Sequence, residues 1–180
     1  MASQAAPTAS GPAELVARAR LGDPDALGGL YDAFGAALFR LAYRLTGTRE
    51  DAEDTVHDVF VGLPEALGRY EERGRLGAWL RRVTARVALM RQRNRNHRRE
   101  VELEGADGLA ALPERTSEHA ELQAALDELP AALRSVLVLR EMEGYSHAEI
   151  GEMLGISAVT SRVRLLRGLR RVRRGLGERR

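Results

Sequence analysis

The chain contains no cysteine and no lysine: all 28 Lys/Arg positions are arginine. Without cysteine there are no disulfides, thiolate zinc sites or cysteine nucleophile, and the composition fits a reducing compartment. Without lysine there is no P-loop lysine, Schiff-base lysine or lysine general base. Aromatic residues make up only 4% of the sequence, so any core must be built from Leu, Val and Ala. No stretch approaches the roughly 18 uninterrupted apolar residues that span a bilayer. The opening MASQAAPTASGP has neither the basic start nor the apolar run of a signal peptide. A frayed tail over 1–12 on a soluble cytoplasmic protein, with no membrane insertion, is the expectation.

What is present is 180 residues with 44% apolar and 30% charged side chains, enough for one ordinary domain or two small ones. The net charge of +2 conceals a sorted distribution. Residues 91–100 hold five Arg against Glu100, residues 101–121 hold six acids against Arg115, and residues 162–180 hold nine Arg against Glu178. Two basic segments separated by an acidic one suggest a polyanion touched at two places.

The apolar spacing is helical throughout, with no strand-like alternation and no fixed-period repeat. Leu27, Leu30, Tyr31, Phe34, Leu38, Leu41, Ala42 and Leu45 recur at steps of three and four. Thr46-Gly47-Thr48 ends that helix, and Thr48 caps the next, whose first turn carries Glu50 and Asp51. There Ala52, Val56, Val59, Phe60, Leu63 and Leu67 share one face, and Glu53, Asp54, His57 and Asp58 lie largely on the other. Pro64, helped by Gly62, predicts a kink or break. Glu71 to Gly77 reads as a loop, followed by a basic amphipathic helix over 78–96 with Leu80, Val83, Val87 and Met90 inward and Arg82, Arg86 and Arg93 outward. Residues 101–118, acidic and broken by Gly105, Gly108 and Pro113, read as a linker. Beyond it, Leu129-Pro130, Gly144 and Gly155 divide the helical pattern into about four helices. The expected fold is therefore all-α: two small helical domains, 13–100 and 119–176, joined by a flexible acidic linker, the second containing a helix-turn-helix.

That motif rests on Gly144 to Arg174. Ser146 and Glu149 form an S-x-x-E capping box, Gly155 supplies the turn, and Ser157 caps an Arg-rich second helix. In a helix-turn-helix the second helix enters the major groove. Arg162, Arg164 and Arg167 can reach phosphates or guanine edges, with Ser157, Thr160 and Ser161 short enough for close contacts. The plain alternative is a surface hairpin with a solvated Arg face. His57, His97, His119 and His147 are too scattered for metal spacing, and no catalytic triad or paired-carboxylate cleft is apparent, so neither cofactor nor enzyme activity is expected.

LRSVLVLREMEGYSHAEIGEMLGISAVTSRVRLLRG resembles the domain of bacterial sigma-70 factors that reads the minus-thirty-five element, in particular in the extracytoplasmic-function (ECF) group. GLYDAFGAALFRLAYRLTGTREDAEDTVHDVF and GAWLRRV resemble the domain that holds the polymerase clamp and reads the minus-ten element. The resemblance spans about Ala26 to Arg174. It implies a transcription initiation factor whose partners are core RNA polymerase and promoter DNA, in a group whose members are typically held by an anti-sigma factor. It assigns Asp51, Glu53, Asp54, His57 and Asp58 to the clamp, and Arg75, Trp79, Arg82, Arg86 and Arg93 to the minus-ten region. Glu71 to Gly77 resembles the loop that receives a flipped base, and Arg91, Arg93, Arg95, Arg98 and Arg99 can track phosphates. Trp79 is either a stacking surface or, beside Leu80, a core anchor. The family commonly has Gln at His57 and Trp at Pro64, so the polymerase-facing helix is expected to be shorter or bent; it commonly has Gly or Ala at Val159, a departure that bears on the fine promoter preference and not on the fold. Two other classes remain: a stand-alone helix-turn-helix regulator, and an enzyme with a metal at Asp51, Asp54 and Asp58.

Overall fold

The computed structural model describes residues 12–71, 73–101 and 117–178, so the tail expected over 1–12 and the linker expected over 101–118 lie outside the described residues except at their edges, where Pro12, Val101, Ser117 and Glu118 are helical. Among the described residues the chain is helical, without strands: α1 (Pro12–Arg20), α2 (Pro24–Thr46), α3 (Arg49–Val61), α4 (Leu63–Leu67), α5 (Leu76–Val101), α6 (Ser117–Asp127), α7 (Ala131–Leu137) continued by a π-helical segment (Val138–Met142), α8 (His147–Leu154) and α9 (Ala158–Glu178). No described helix is long and apolar enough to cross a membrane.

Local chemistry fixes the helix ends. The Asp23 carboxylate accepts from the Asp25 and Ala26 amides ahead of α2, with Pro24 in the first turn where a missing N–H costs nothing. Gly47, at φ 84°, closes α2 in the left-handed region, and Thr48 caps α3 by accepting from the Asp51 amide at 3.2 Å. The expected break comes at Gly62, after which Pro64 sits in the first turn of α4.

The first core packs Val16, Leu30, Leu38, Val56, Val59, Leu63, Leu67 and Leu80. Each fully buried side chain of this size contributes about 1.5–3 kcal/mol. The second core crosses the sequence boundary: Leu41 and Leu45 of α2 and Ala85, Ala88 and Leu89 of α5 pack with Leu126, Leu129, Val136 to Leu139, Ile150 and Met153. This docking corrects the inward face of α5. Met90, read as inward, is 55% exposed, because α5 turns Ala85, Ala88 and Leu89 toward the C-terminal helices instead. Tyr31 is likewise exposed, with its ring edge-on to Phe60 at 5.1 Å.

Polar groups bridge the same junction. Gln92 donates to the Leu45 carbonyl at 3.1 Å and accepts from the Ser135 hydroxyl at 3.2 Å. The Arg134 guanidinium reaches the Thr46 carbonyl at 3.4 Å and lies 3.7 Å from Asp127, at the carbonyl end of α2 where the helix dipole favours a cation. Its Nε is buried without a hydrogen-bond partner, so the fold holds this charge at some cost.

Candidate nucleic-acid interface

The helix-turn-helix is set by short-range bonds. Ser146 Oγ accepts from the Glu149 amide at 3.2 Å while the Glu149 carboxylate accepts from the Ser146 amide at 2.9 Å, the reciprocal capping box. Gly155, at φ 66°, ends α8, and the Gly155 and Ile156 amides both donate to the Gly151 carbonyl. Ser157 Oγ then accepts from the Thr160 amide at 3.0 Å, which starts α9. The hydrogen bonds from the Ser146 amide and hydroxyl hold the Glu149 carboxyl below its ordinary pKa. A depressed folded-state pKa means stability that is present above the ordinary carboxylate range and lost as pH falls through the folded value. Glu149→Gln should therefore flatten the acid limb of the stability profile. Urea midpoints at about pH 7 and about pH 3 would check this, with wild type losing more than the variant.

Along α9, Arg162 and Arg167 are exposed and Arg164 is half-buried. Ser157 is exposed and half-buried Thr160 shares a 2.9 Å hydroxyl–hydroxyl hydrogen bond with it, so both serve the cap. Ser161 is a correction. It is fully buried, and its hydroxyl lies 2.9 Å from His147 Nδ1, joining the two helices of the motif rather than facing a groove. Burial, then Arg140 and Arg162, push the His147 pKa down, which favours the neutral ring beside Ser161. Sequence reasoning missed the exposed apolar residues of α9, namely Val159, Val163, Leu166 and Leu169.

In the N-terminal half, Arg75 and Arg86 are exposed and Arg82 is half-buried. Trp79 is half-buried, packs on the first core and lies 4.9 Å from the Tyr70 ring, the core-anchor alternative. The loop is shorter than read, because α5 already begins at Leu76. Gly74, at φ 68°, keeps its turning role. Gly77 instead lies inside α5, where an added Cβ would stand 3.1 Å from Phe34.

The basic run of α5 is largely engaged within the protein, so phosphate contacts there would require these bonds to open. Arg91 bridges Asp54 at 2.9 Å and Asp58 at 2.7 Å, and these bonds, Asp58 first, raise its pKa. Arg95 pairs with Asp51, which also accepts from the Thr48 hydroxyl at 2.7 Å. Arg93 donates to the Met153 carbonyl at the end of α8. The side chains of Arg98 and Arg99, like those of His97 and His119, lie outside the described residues. The acidic face is therefore partly neutralised: Glu53 pairs with Arg49 at 2.7 Å, and His57 stands exposed among the pairs. Among the described residues no cluster of His, Asp or Glu is arranged to hold a metal. At the junction Glu143 faces Arg81 at 3.5 Å, and burial pushes its carboxyl pKa up.

Comparison with known proteins agrees with this geometry. The family description "Sigma-70 region 2" matches residues 30–98 and "Sigma-70, region 4" matches residues 119–172. The chain is similar to the ECF RNA polymerase sigma factor SigM of Mycobacterium tuberculosis, 30% identical over 92% of this chain and 84% of SigM. It is also similar to SigE of Mycolicibacterium smegmatis, 38% identical over 76% of this chain, a match spanning only 56% of SigE. Among solved structures, CnrH in complex with the cytosolic domain of CnrY is 27% identical with a TM-score of 0.55, covering 91% of this chain and 96% of CnrH. The sigma factor RpoE in complex with the anti-sigma factor NepR, from Bartonella quintana, shares the fold, with a TM-score of 0.63 at 22% identity over 81% of this chain and 92% of RpoE.

Proposed function

Because the chain belongs to the sigma-70 family, as an ECF RNA polymerase sigma factor acting in transcription initiation, we propose that it binds core polymerase through α3 and reads promoter DNA with α5 and α9. The observation that supports this reading is α9 itself: a basic helix, held by the Gly155 turn, whose Arg162 and Arg167 are exposed, as contact with DNA by the motif's second helix would require. Residues 13–100 would engage the clamp and the minus-ten element, and residues 119–176 the minus-thirty-five element. In the minus-ten half, Arg75, Arg82 and Arg86 are the basic side chains available in the docked form, Arg93 becoming available once it leaves Met153. Trp79 acts there through the core that seats the Glu71 to Arg75 loop.

The protein works in the cytoplasm without catalysis of its own, the polymerase making the RNA. An anti-sigma factor is a further proposed partner, supported by the RpoE relative, which is crystallised with one. Run-off transcription with purified core polymerase on a promoter library tests the assignment. Start sites that depend on the protein support it, and tight palindromic binding by the free chain with no transcript would make it a stand-alone regulator.

Asp51, Glu53, Asp54, His57 and Asp58 form the polymerase-facing surface. Asp54 is the member to change, being exposed and outside the core. Asp54→Arg would place a cation beside Arg91 and reverse the sign that the clamp meets. Core-polymerase affinity should fall about tenfold, chiefly through the association rate, with helical content unchanged. Pull-down and circular dichroism on the same preparation would measure it, and unaltered polymerase binding would remove this face from the interface.

A further inference from the structure

The outward side of α9 is not uniformly basic. Val159 is 63% exposed, Val163 41% and Leu166 55%. They follow one another at steps of four and three, which at about 100° per residue places them within an arc of roughly 60°. The core-facing side of the helix is separate: Ser161 and Gly168 are buried there, with Leu165 and Val172 packed on the second core. Among the described residues nothing covers the Val159–Val163–Leu166 strip, and exposed Arg162, Arg167, Arg170, Arg173 and Arg174 surround it.

The surroundings select the occupant. A second copy meeting this face would bring one arginine cluster against another, a like-charge contact that opposes association. A duplex groove suits both components, because phosphates line its edges and one base, thymine, projects a methyl group into the major groove. Val159 and Val163 stand in the first two turns of α9, the part of the second helix that reaches base edges. The polar groups beside them are committed elsewhere, since Thr160 is bonded to Ser157 and Ser161 to His147. A β-branched valine in a helix holds essentially one χ1 rotamer, so each presents its methyls in a fixed place.

Resting on the sigma-factor reading above, we propose that Val159 and Val163 determine promoter specificity by apolar contact with the C5-methyl groups of thymines in the upstream element. Leu166 extends the strip by one turn. Arg162 and Arg167 position the helix on the flanking phosphates, and the valines supply discrimination that arginine–phosphate contacts cannot.

The test uses the assembled complex of the full chain with core polymerase, on an upstream element first selected from random duplexes. Each thymine of that element is replaced singly by deoxyuridine, which removes one methyl and leaves every hydrogen-bonding group in place. Affinity should fall about fourfold at one or two positions, the ratio expected for losing one buried methyl. Val159→Ala or Val163→Ala should weaken the thymine duplex by a similar factor and erase the thymine–deoxyuridine difference at one position each. Equal affinity for thymine and deoxyuridine throughout the element, with sequence-specific binding intact, would overturn the inference while leaving the sigma-factor reading standing. No sequence-specific complex and no transcript would instead remove that reading. A dimer seen in sedimentation, or binding to phosphatidylglycerol vesicles, that Val163→Ala abolishes would also overturn the inference by giving the strip another occupant. The deoxyuridine series needs only the wild-type protein, so it decides the matter even if a valine variant folds poorly.

Discussion

Gly151→Ala should destabilise the protein and disable its DNA-reading unit, whereas Gly28→Ala, the same change in another helix, should stabilise it. Helix propensity alone predicts a gain of up to about 1 kcal/mol for each, since glycine is the poorer helix former. At Gly28 an added Cβ meets nothing within 4 Å, so the gain stands. At Gly151 the Cβ would lie 2.6 Å from the Ile156 carbonyl oxygen, a backbone atom that no rotamer change can move. The Gly151 carbonyl is also the acceptor for the Gly155 and Ile156 amides, so relieving the overlap pulls on the bonds that form the turn. Overpacking of this kind costs about 1–3 kcal/mol, enough to reverse the sign. The larger consequence is geometric: α9 is carried by that turn, and a shift of about 1 Å there misplaces every side chain that enters the groove. Promoter affinity in the polymerase complex should fall by at least about tenfold. Urea unfolding of both variants together with promoter binding would show it. A Gly151→Ala protein as stable as Gly28→Ala would mean that the turn is not held as described.

The features that could be read from the sequence are those whose partners lie within one helical turn. Thr48 and Asp51, Ser146 and Glu149, and Ser157 and Thr160 are each three residues apart, and their caps are where the residue types place them. The break before Pro64 follows from the missing amide in the same way. Periodicity also found the buried face of α3, because Ala52, Val56 and Val59 meet a single partner surface. On α5 it found Leu80, Val83 and Val87, which lie on the first core, but misplaced Met90 and missed Ala85, Ala88 and Leu89, which the C-terminal helices cover. The buried stripe shifts between two partners, and no single period predicts where Met90 falls. Ser161 was misjudged for a related reason: its partner, His147, lies 14 positions back across the turn.

Charge was legible as sorting and illegible as pairing. Five arginines in ten residues lead to the expectation of a polyanion site, yet Arg91 meets Asp58 and Asp54 at separations of 33 and 37 residues. Such pairs depend on the packing angle of α3 against α5, which composition does not encode. Exposed pairs of this kind contribute only about 0–1 kcal/mol each. Pairs this weak can therefore open when a stronger polyanion or an opposing basic surface arrives.

The free protein should bind double-stranded promoter DNA weakly, and addition of core polymerase should raise the apparent affinity by about 10² to 10⁴. Two physical causes act together. In the docked form Arg93 is bonded to the Met153 carbonyl, and the α5 face at Ala85, Ala88 and Leu89 is packed under the C-terminal helices. Only the undocked fraction presents Arg93 and leaves the two reading units free to take the promoter's spacing, so the apparent affinity of the free chain is reduced by that fraction. Separation exposes Leu41, Leu45, Leu137 and Leu139, each at most 6% exposed in the docked form, and the free chain has nothing to offset that exposure. Polymerase offers binding surfaces to each half, and once both are seated the second DNA contact becomes effectively intramolecular. The basic helices should also make the interaction steeply salt dependent, with a log-affinity slope of about −0.9 per phosphate neutralised. Permanganate reactivity of unpaired thymines, with and without polymerase, separates opening from mere binding. Leu45→Asp, which places a charge in the junction core, should raise binding by the free chain while leaving the affinity of the polymerase complex nearly unchanged. Tight binding by the wild-type chain alone, unaltered by Leu45→Asp, would show that the junction does not restrain the reading units.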